Sequence, residues 1–298
     1  MADRLKNANT SSVGVRDKKE TFAMQTFKRL STNKAAMAAC IMLAILILLA
    51  IFAPVITPYG YEEMDYKNMN VGPCASHWFG TDELGRDILT RLLYGGRYSL
   101  SLGISASLLS MTIAIIFGSL AGYYGGWADN IILRICDILQ AVPGLLLAIV
   151  MSAVLGPGYV NTILAIAIGG IPSTVRMVRS MVMSVRGAEY LEAAVSINCS
   201  PARIMFKRIL PNVLSPIIVG VTMGIGSTIM VASSLSFLGL GVRPPLPEWG
   251  AMLSAGRSSI RNHPHLVLFP GLFIFITCLC ANLFGDGLRD AMDPKLKD

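Results

Sequence analysis

His263 and His265 flank Pro264 in "NHPHL" and could offer two imidazoles to a metal ion. Two ligands fall short of the three or four that a metal site needs, so a loop that simply contains both histidines is the plainer reading. The six cysteines are scattered: Cys40, Cys136, Cys278 and Cys280 lie in or beside apolar runs, Cys199 and Cys74 in separate polar segments. No disulfide pair or metal spacing emerges from them. A phosphate-binding GxxxxGK[ST] loop is missing, as are HExxH, GxSxG and CxxC, which points away from an enzyme and from ATP binding by this chain itself. Asp137, near one end of a stretch long enough to span a membrane, is the one acid inside any of the six such stretches expected below, so the paired buried carboxylates of a proton-coupled carrier are missing too.

The polar residues that remain with a definite spacing lie in "EYLEAAVSINCSPARIMFKRILPN", Glu189 to Asn212. Glu189, Glu192 and Ala193 can face water on a first short helix while Leu191, Ala194 and Val195 face protein or lipid. Asn198 stands where that helix must stop, and after Gly, Asn is the residue best suited to a left-handed C′ position. Ser200 followed by Pro201 is an N-cap with a first-turn proline, so a second helix starts at once. Arg203 falls in its first turn. The segment therefore predicts an elbow of two helices lying across a membrane surface.

That surface follows from composition. The 298 residues are 53% hydrophobic and 14% charged, and the mean hydropathy is +0.59, against about 25% charged in soluble domains. No Asp, Glu, Lys or Arg occurs at 35–61, 98–128, 138–175, 209–242 or 262–285. A membrane helix needs roughly 20 apolar residues, and "GPG" at Gly156 to Gly158 divides the longest run into two. Six spans are expected, near 35–57, 99–122, 132–155, 159–178, 213–238 and 266–285, in an all-α membrane protein. Lys and Arg set the orientation. On one side fall the eight cations of the first 34 residues, Arg134, the six between Arg176 and Arg208, and Arg289, Lys295 and Lys297; only Lys67, Arg86, Arg91, Arg97, Arg243, Arg257 and Arg261 fall on the other. Both termini are thus expected in the cytoplasm, and the net charge of +7 is accounted for by orientation, without a nucleic-acid partner.

Residues 1–34 read as a cytoplasmic tail: a polar, disordered stretch to about 20, then a short helix with Phe22, Phe27 and Leu30 lying in the lipid interface. Residues 35–298 form the transmembrane unit, with outside segments at 58–98 and 239–265 and the inside loop at 179–212. In the first outside segment, Thr81 suits an N-cap for an amphipathic helix with Leu84, Ile88 and Leu92 as its stripe, and pairs Asp82–Arg86 and Asp87–Arg91 at i,i+4. Arg134 and Asp137 share a helix face, and Pro143 is expected to kink their span. Gly118 with Gly122, and "GIGST" from Gly224, read as helix-packing positions.

Several of these segments resemble one family. Glu192, Ala193, Ala194 and then Ile209, Leu210, Pro211 are similar to the EAA motif of ABC importer membrane subunits, with Asn198 in place of the motif's Gly, a stiffer residue for the same turn. "HWFGTDELGRDILTRLLYGGRYSL", "SFLGLGVRPPLPEWGAML" and "NLFGDGLRDAMDP" resemble the C-type permease of dipeptide and oligopeptide importers, a group that includes nickel and glutathione importers. The resemblance covers nearly the whole chain. It implies the type I importer permease fold in a bacterial or archaeal plasma membrane, and a heterodimer with a second permease subunit. It also implies two cytoplasmic ATPases that bind the ATP, and an extracytoplasmic solute-binding protein. Glu189, Glu192, Ala193, Ala194, Asn198, Ser200 and Arg203 would form the coupling loop that meets an ATPase. Peptide is the cargo so implied, with nickel or glutathione as alternatives; a stand-alone carrier or membrane enzyme is the rival from another class.

Overall fold

The computed structural model describes residues 22–292, and they are almost entirely helical. In chain order the helices are α1 (Phe22–Thr32), α2 (Lys34–Ile51), α3 (Ala53–Ile56), α4 (Ile88–Tyr124), α5 (Gly126–Gln140), α6 (Gly144–Leu155) and α7 (Tyr159–Arg186). There follow α8 (Glu189–Ser196), α9 (Pro201–Ile204), a π-helical turn (Met205–Ile209), α10 (Leu210–Phe237), α11 (Trp249–Gly256), a 3-10 turn (Arg257–Ser259) and α12 (His265–Met292). Among the described residues five helices are long and apolar enough to cross a membrane, counting α9 through α10 as one, and α5 with α6 forms a further, bent pair. The polar tail expected before residue 21 and the last six residues lie outside the described residues.

The expected third span, 132–155, is the element that differs most. α5 and α6 meet at 83° across Ala141 to Pro143. Pro143 has no N–H to continue the helix and biases Val142 toward extended backbone, so a break was encoded there. Its size comes from tertiary contact: Gly144 lies against Gly169 so closely that a Cβ on Gly169 would stand 2.9 Å from the Gly144 carbonyl, which pulls α6 alongside α7. At 12 residues α6 spans about 18 Å and cannot cross a bilayer by itself.

α4 also departs from expectation, starting at Ile88 and not near 99. Its N-cap is Asp87, whose carboxylate accepts from the Thr90 amide and hydroxyl at 2.8 Å. The predicted cap, Thr81, is instead fully buried, with its hydroxyl donating to the Asn68 carbonyl and accepting from the Val71 amide. Residues 80–87 form a tight loop because Gly80 and Gly85 adopt positive φ, and a Cβ at Gly85 would lie 1.9 Å from the Asp65 carbonyl oxygen. Asp82 does pair with Arg86, at 2.7 Å, but Asp87 pairs with His77 and not with Arg91, whose guanidinium reaches the Tyr61 carbonyl and approaches Asp82. Ile88 and Leu92 are buried, so the expected surface helix is in fact the root of a spanning one.

The bundle is held by packed apolar clusters. One, at the end bearing α8, joins Met111, Cys136, Val178, Leu191, Ala194, Ile204 and Val213. Another, at the opposite end, joins Ile88, Leu92, Ile229, Trp249, Leu266 and Cys278. Within the first cluster α4 and α7 approach to backbone distance: a Cβ on Gly118 would stand 2.7 Å from the Val175 carbonyl, and one on Gly122 2.9 Å from that of Arg179, as the small-residue spacing predicts. In the loop 239–265, α11 is anchored by Trp249, whose indole N–H donates to the Leu92 carbonyl, and by fully buried Glu248, whose carboxylate caps the Gly250 and Ala251 amides and accepts from Ser99. α1 lies where an interfacial helix was expected, with Leu30 buried against Ala36 and Ala291 and Phe27 exposed.

Candidate functional site

The elbow predicted at Glu189 to Asn212 is present. α8 ends in a full Schellman motif: Asn198 sits at φ +57 and donates to the Val195 carbonyl at 2.8 Å, while Cys199 donates to that of Ala194 at 3.1 Å. An asparagine tolerates that left-handed geometry, which a bulkier residue would resist. Ser200 then caps α9, accepting from the Arg203 amide, with Pro201 in the first turn. The π-helical turn that joins α9 to α10 ends just before Pro211, which cannot donate to Lys207, so the extra residue in the turn absorbs the missing bond.

Glu189, Glu192, Ala193, Asn198, Ser200 and Arg203 are all exposed, and both acids stand in the first turn of α8, where the helix dipole favours them. Ala194 is not with them. It is buried with Leu191 against α5, α7 and α10, so its small size serves packing within this chain. Val195 reverses its expected direction and is 60% exposed, beside Ile197 at 75%. Sequence reasoning missed these two as surface residues: Val195 lies about 100° round the helix from buried Ala194, and Ile197 is the C-cap, where the chain has left the helix. The result is a polar elbow with two bare aliphatic side chains, mounted on the core through Leu191 and Ala194. Asn212 adds a strut, its amide donating to the Tyr190 hydroxyl at 3.1 Å and the Arg208 carbonyl at 2.6 Å.

A second feature lies among α4, α6, α7 and α10: an open cavity of about 370 Å³. Its wall is glycine, apolar and hydroxyl, with Ser107, Ser110, Ser173, Thr174, Ser227 and Thr228 supplying the polar groups, and it carries no charged side chain. Ser107 and Ser110 are partly engaged, donating to Thr228 and to the Ala167 carbonyl. "GIGST" is divided between two tasks: Gly224, Ser227 and Thr228 line the cavity, while Gly226 packs on α12, where a Cβ would lie 3.2 Å from the Cys278 carbonyl. Such an uncharged, hydroxyl-studded wall can hydrogen-bond amides without holding an ion.

The remaining candidates resolve simply. Asp137 pairs with Arg176 of α7 and not with Arg134, and Asp129 pairs with Arg179. The rings of His263 and His265 stand perpendicular at 6.0 Å, and no cluster of three His, Cys, Asp or Glu suited to a metal occurs among the described residues.

Comparison with known proteins places this geometry. Residues 114–298 match the family described as binding-protein-dependent transport system inner membrane component, and residues 21–73 the N-terminal TM domain of oligopeptide transport permease C. The glutathione transport system permease protein GsiD of Pectobacterium atrosepticum is 47% identical over 285 residues, 95% of each chain. The dipeptide transport system permease protein DppC of Alkalihalophilus pseudofirmus is 48% identical over 273 residues, 92% of this chain and 90% of that one. A solved structure of the MetNI methionine ABC transporter in an inward-facing conformation shares the fold, with a TM-score of 0.56 at 17% identity, covering 68% of this chain and 96% of that one. With its bent bundle, its rigid polar elbow and relatives that align along nearly its whole length, this chain belongs to the family of inner membrane components of binding-protein-dependent ABC importers.

Proposed function

We propose that the chain is the permease subunit that forms half of the pathway for short peptides, glutathione included, in an ABC importer, with α8 seated on a cytoplasmic ATPase. The observation that carries the reading is the elbow. Its exposed face is Glu192, Ala193, Val195 and Ile197, while Leu191 and Ala194 on its other face are packed into the same core as Met111, which also lines the cavity wall. A push on α8 therefore reaches the cavity through close-packed side chains that do not yield.

In this reading ATP is bound by two partner ATPases, a second permease completes the pathway, and a solute-binding protein delivers cargo at the end bearing α11. Both termini lie in the cytoplasm. Peptide cargo is supported by the names of the two relatives and by the cavity wall, whose hydroxyls suit amide groups. The test is uptake into vesicles holding the whole importer. ATP-dependent accumulation of a labelled dipeptide or of glutathione that needs this chain together with its partners supports the proposal. Uptake by the chain alone, without ATPases, overturns it.

A further inference from the structure

The cavity wall is uncharged, but its rim is not. Ser173 and Met177 of α7 both line the cavity, and Arg176, just outside the lining, neighbours Ser173 at the i,i+3 spacing. Gly144, the first residue of α6, lines it from the other side, just beyond the Pro143 break. Across that break the Arg176 guanidinium donates through its two terminal nitrogens to Gln140 and Asp137 of α5. Arg176 lies two residues before the expected inner end of this span near 178. A charged group inside a span is costly unless paired or used, and the cost is smaller near its end.

The neighbouring pair shows what a purely structural solution looks like. Arg179 and Asp129 meet through two parallel bonds, from Nε and Nη2 to both carboxylate oxygens, with side chains only 24% and 15% exposed. Arg176 and Asp137 are 40% and 51% exposed, meet through one nitrogen only, and share the guanidinium with a neutral amide. The Arg176 Nε has no acceptor among the described residues. Such a guanidinium can change partners without leaving its place, and its planar fork matches a carboxylate better than it matches the two separated acceptors it now holds.

We propose that Arg176 is a subsite for the carboxylate of the passing cargo, which displaces Gln140 and Asp137 from the guanidinium at the cavity rim. The proposal rests on the reading of the cavity as the cargo pathway. A peptide brings at least one carboxylate into a wall that offers no other cation, and an unpaired anion in such surroundings carries a heavy penalty. Asp137 and Gln140 hold the guanidinium only while the pathway is empty, as competitors that the cargo carboxylate replaces.

The experiment uses the assembled importer in vesicles, with a dipeptide and its C-terminal amide as cargoes at saturating loaded binding protein. Arg176→Gln is expected to lower dipeptide uptake about tenfold or more, the scale of a lost hydrogen bond to a charged group, while the amide changes little. Asp137→Asn, which removes the competing carboxylate, should keep dipeptide uptake within about twofold of the unmodified importer. Arg176→Lys, which keeps a cation, should restore part of it, and it decides the matter with Asp137→Asn should Arg176→Gln fail to assemble. If Asp137→Asn reproduces the loss, or dipeptide and amide fall in step, the cluster is a brace between α5 and α7 and the proposal is wrong. Absence of ATP-dependent uptake in the unmodified importer would instead remove the underlying reading of the function.

Discussion

Asn198 carries the sharpest consequence of the elbow. At φ +57 it is one of two residues other than glycine in the left-handed region among the described residues, and it forms both bonds of the Schellman turn with Val195 and Ala194 through itself and its neighbour. Asn198→Val places a β-branched side chain there, which adds about 1–2 kcal/mol of strain to the turned state. The amides of 198 and 199 must keep the same geometry or lose their acceptors at 2.8 and 3.1 Å. A penalty of that size lowers the population of correctly turned elbows by a factor of about 5–30. Asn198→Gly relieves the strain and should stay within about 0.5 kcal/mol of the unmodified chain, since the gain in the folded turn is offset by greater freedom unfolded. The assay is co-purification of the ATPases with the permease pair, followed by peptide-stimulated ATP hydrolysis, in variants verified to reach the membrane. Loss with valine and retention with glycine is the expected result. Equal, undiminished assembly and hydrolysis in both would refute the argument that the turn fixes the docking helix.

Other consequences are independent of docking. Burial pushes the Glu248 carboxyl up from the usual range, so the folded chain holds that proton more tightly than the unfolded one, and stability should fall as pH rises from the ordinary glutamate range to the raised value. Glu248→Gln should flatten that slope in a thermal melt of the detergent-solubilised protein. Glu248→Ala should lower stability at every pH, by about 1–3 kcal/mol for each orphaned amide of Gly250 and Ala251. Gly118→Val should part α4 from α7 at a cost of about 1–3 kcal/mol or more, because its Cβ would lie 2.7 Å from the Val175 carbonyl, and detergent melting should show it. Cys74 is exposed, and its thiol is held below the ordinary value first by the Ser76 hydroxyl and then by the His77 amide. An impermeant maleimide should label it from outside intact cells, with a pH midpoint lower than that of an ordinary thiol, and Ser76→Ala should raise the midpoint. Labelling only after the cells are opened would reverse the proposed orientation.

The elbow was legible in the sequence because its signals are local: Asn198 at a C′ position and Ser200 before Pro201 each encode a backbone geometry that tertiary structure did not override. Helical periodicity put Leu191, Ala194 and Val195 on the inner face; the first two are buried there, but Val195, in the last turn, points outward, where the helix runs out before completing the face. Thr81 and Asp87 are equally good caps on paper. The choice was made by the approach of Gly85 to Asp65, twenty residues earlier in the chain, which no local rule contains. Pro143 announced a break but not its 83° angle, which depends on two glycines from different helices. Charge partners were least legible: Asp137 had Arg134 one turn away and Arg176 39 residues away, and the fold chose the second. The cavity and its charged rim depend on that same long-range choice and were not visible beforehand.

The central claim is that α8 is gripped by an ATPase on the face bearing Ala193. A photo-crosslinking side chain at position 193 of the assembled importer tests it directly, with position 195 as a second point on the same exposed end and position 66, on the far side of the bundle, as control. The account predicts ultraviolet-dependent capture of the ATPase subunit from 193 and 195 and none from 66. Assembled, transport-competent complexes that give no ATPase adduct from 193 or 195 would contradict it.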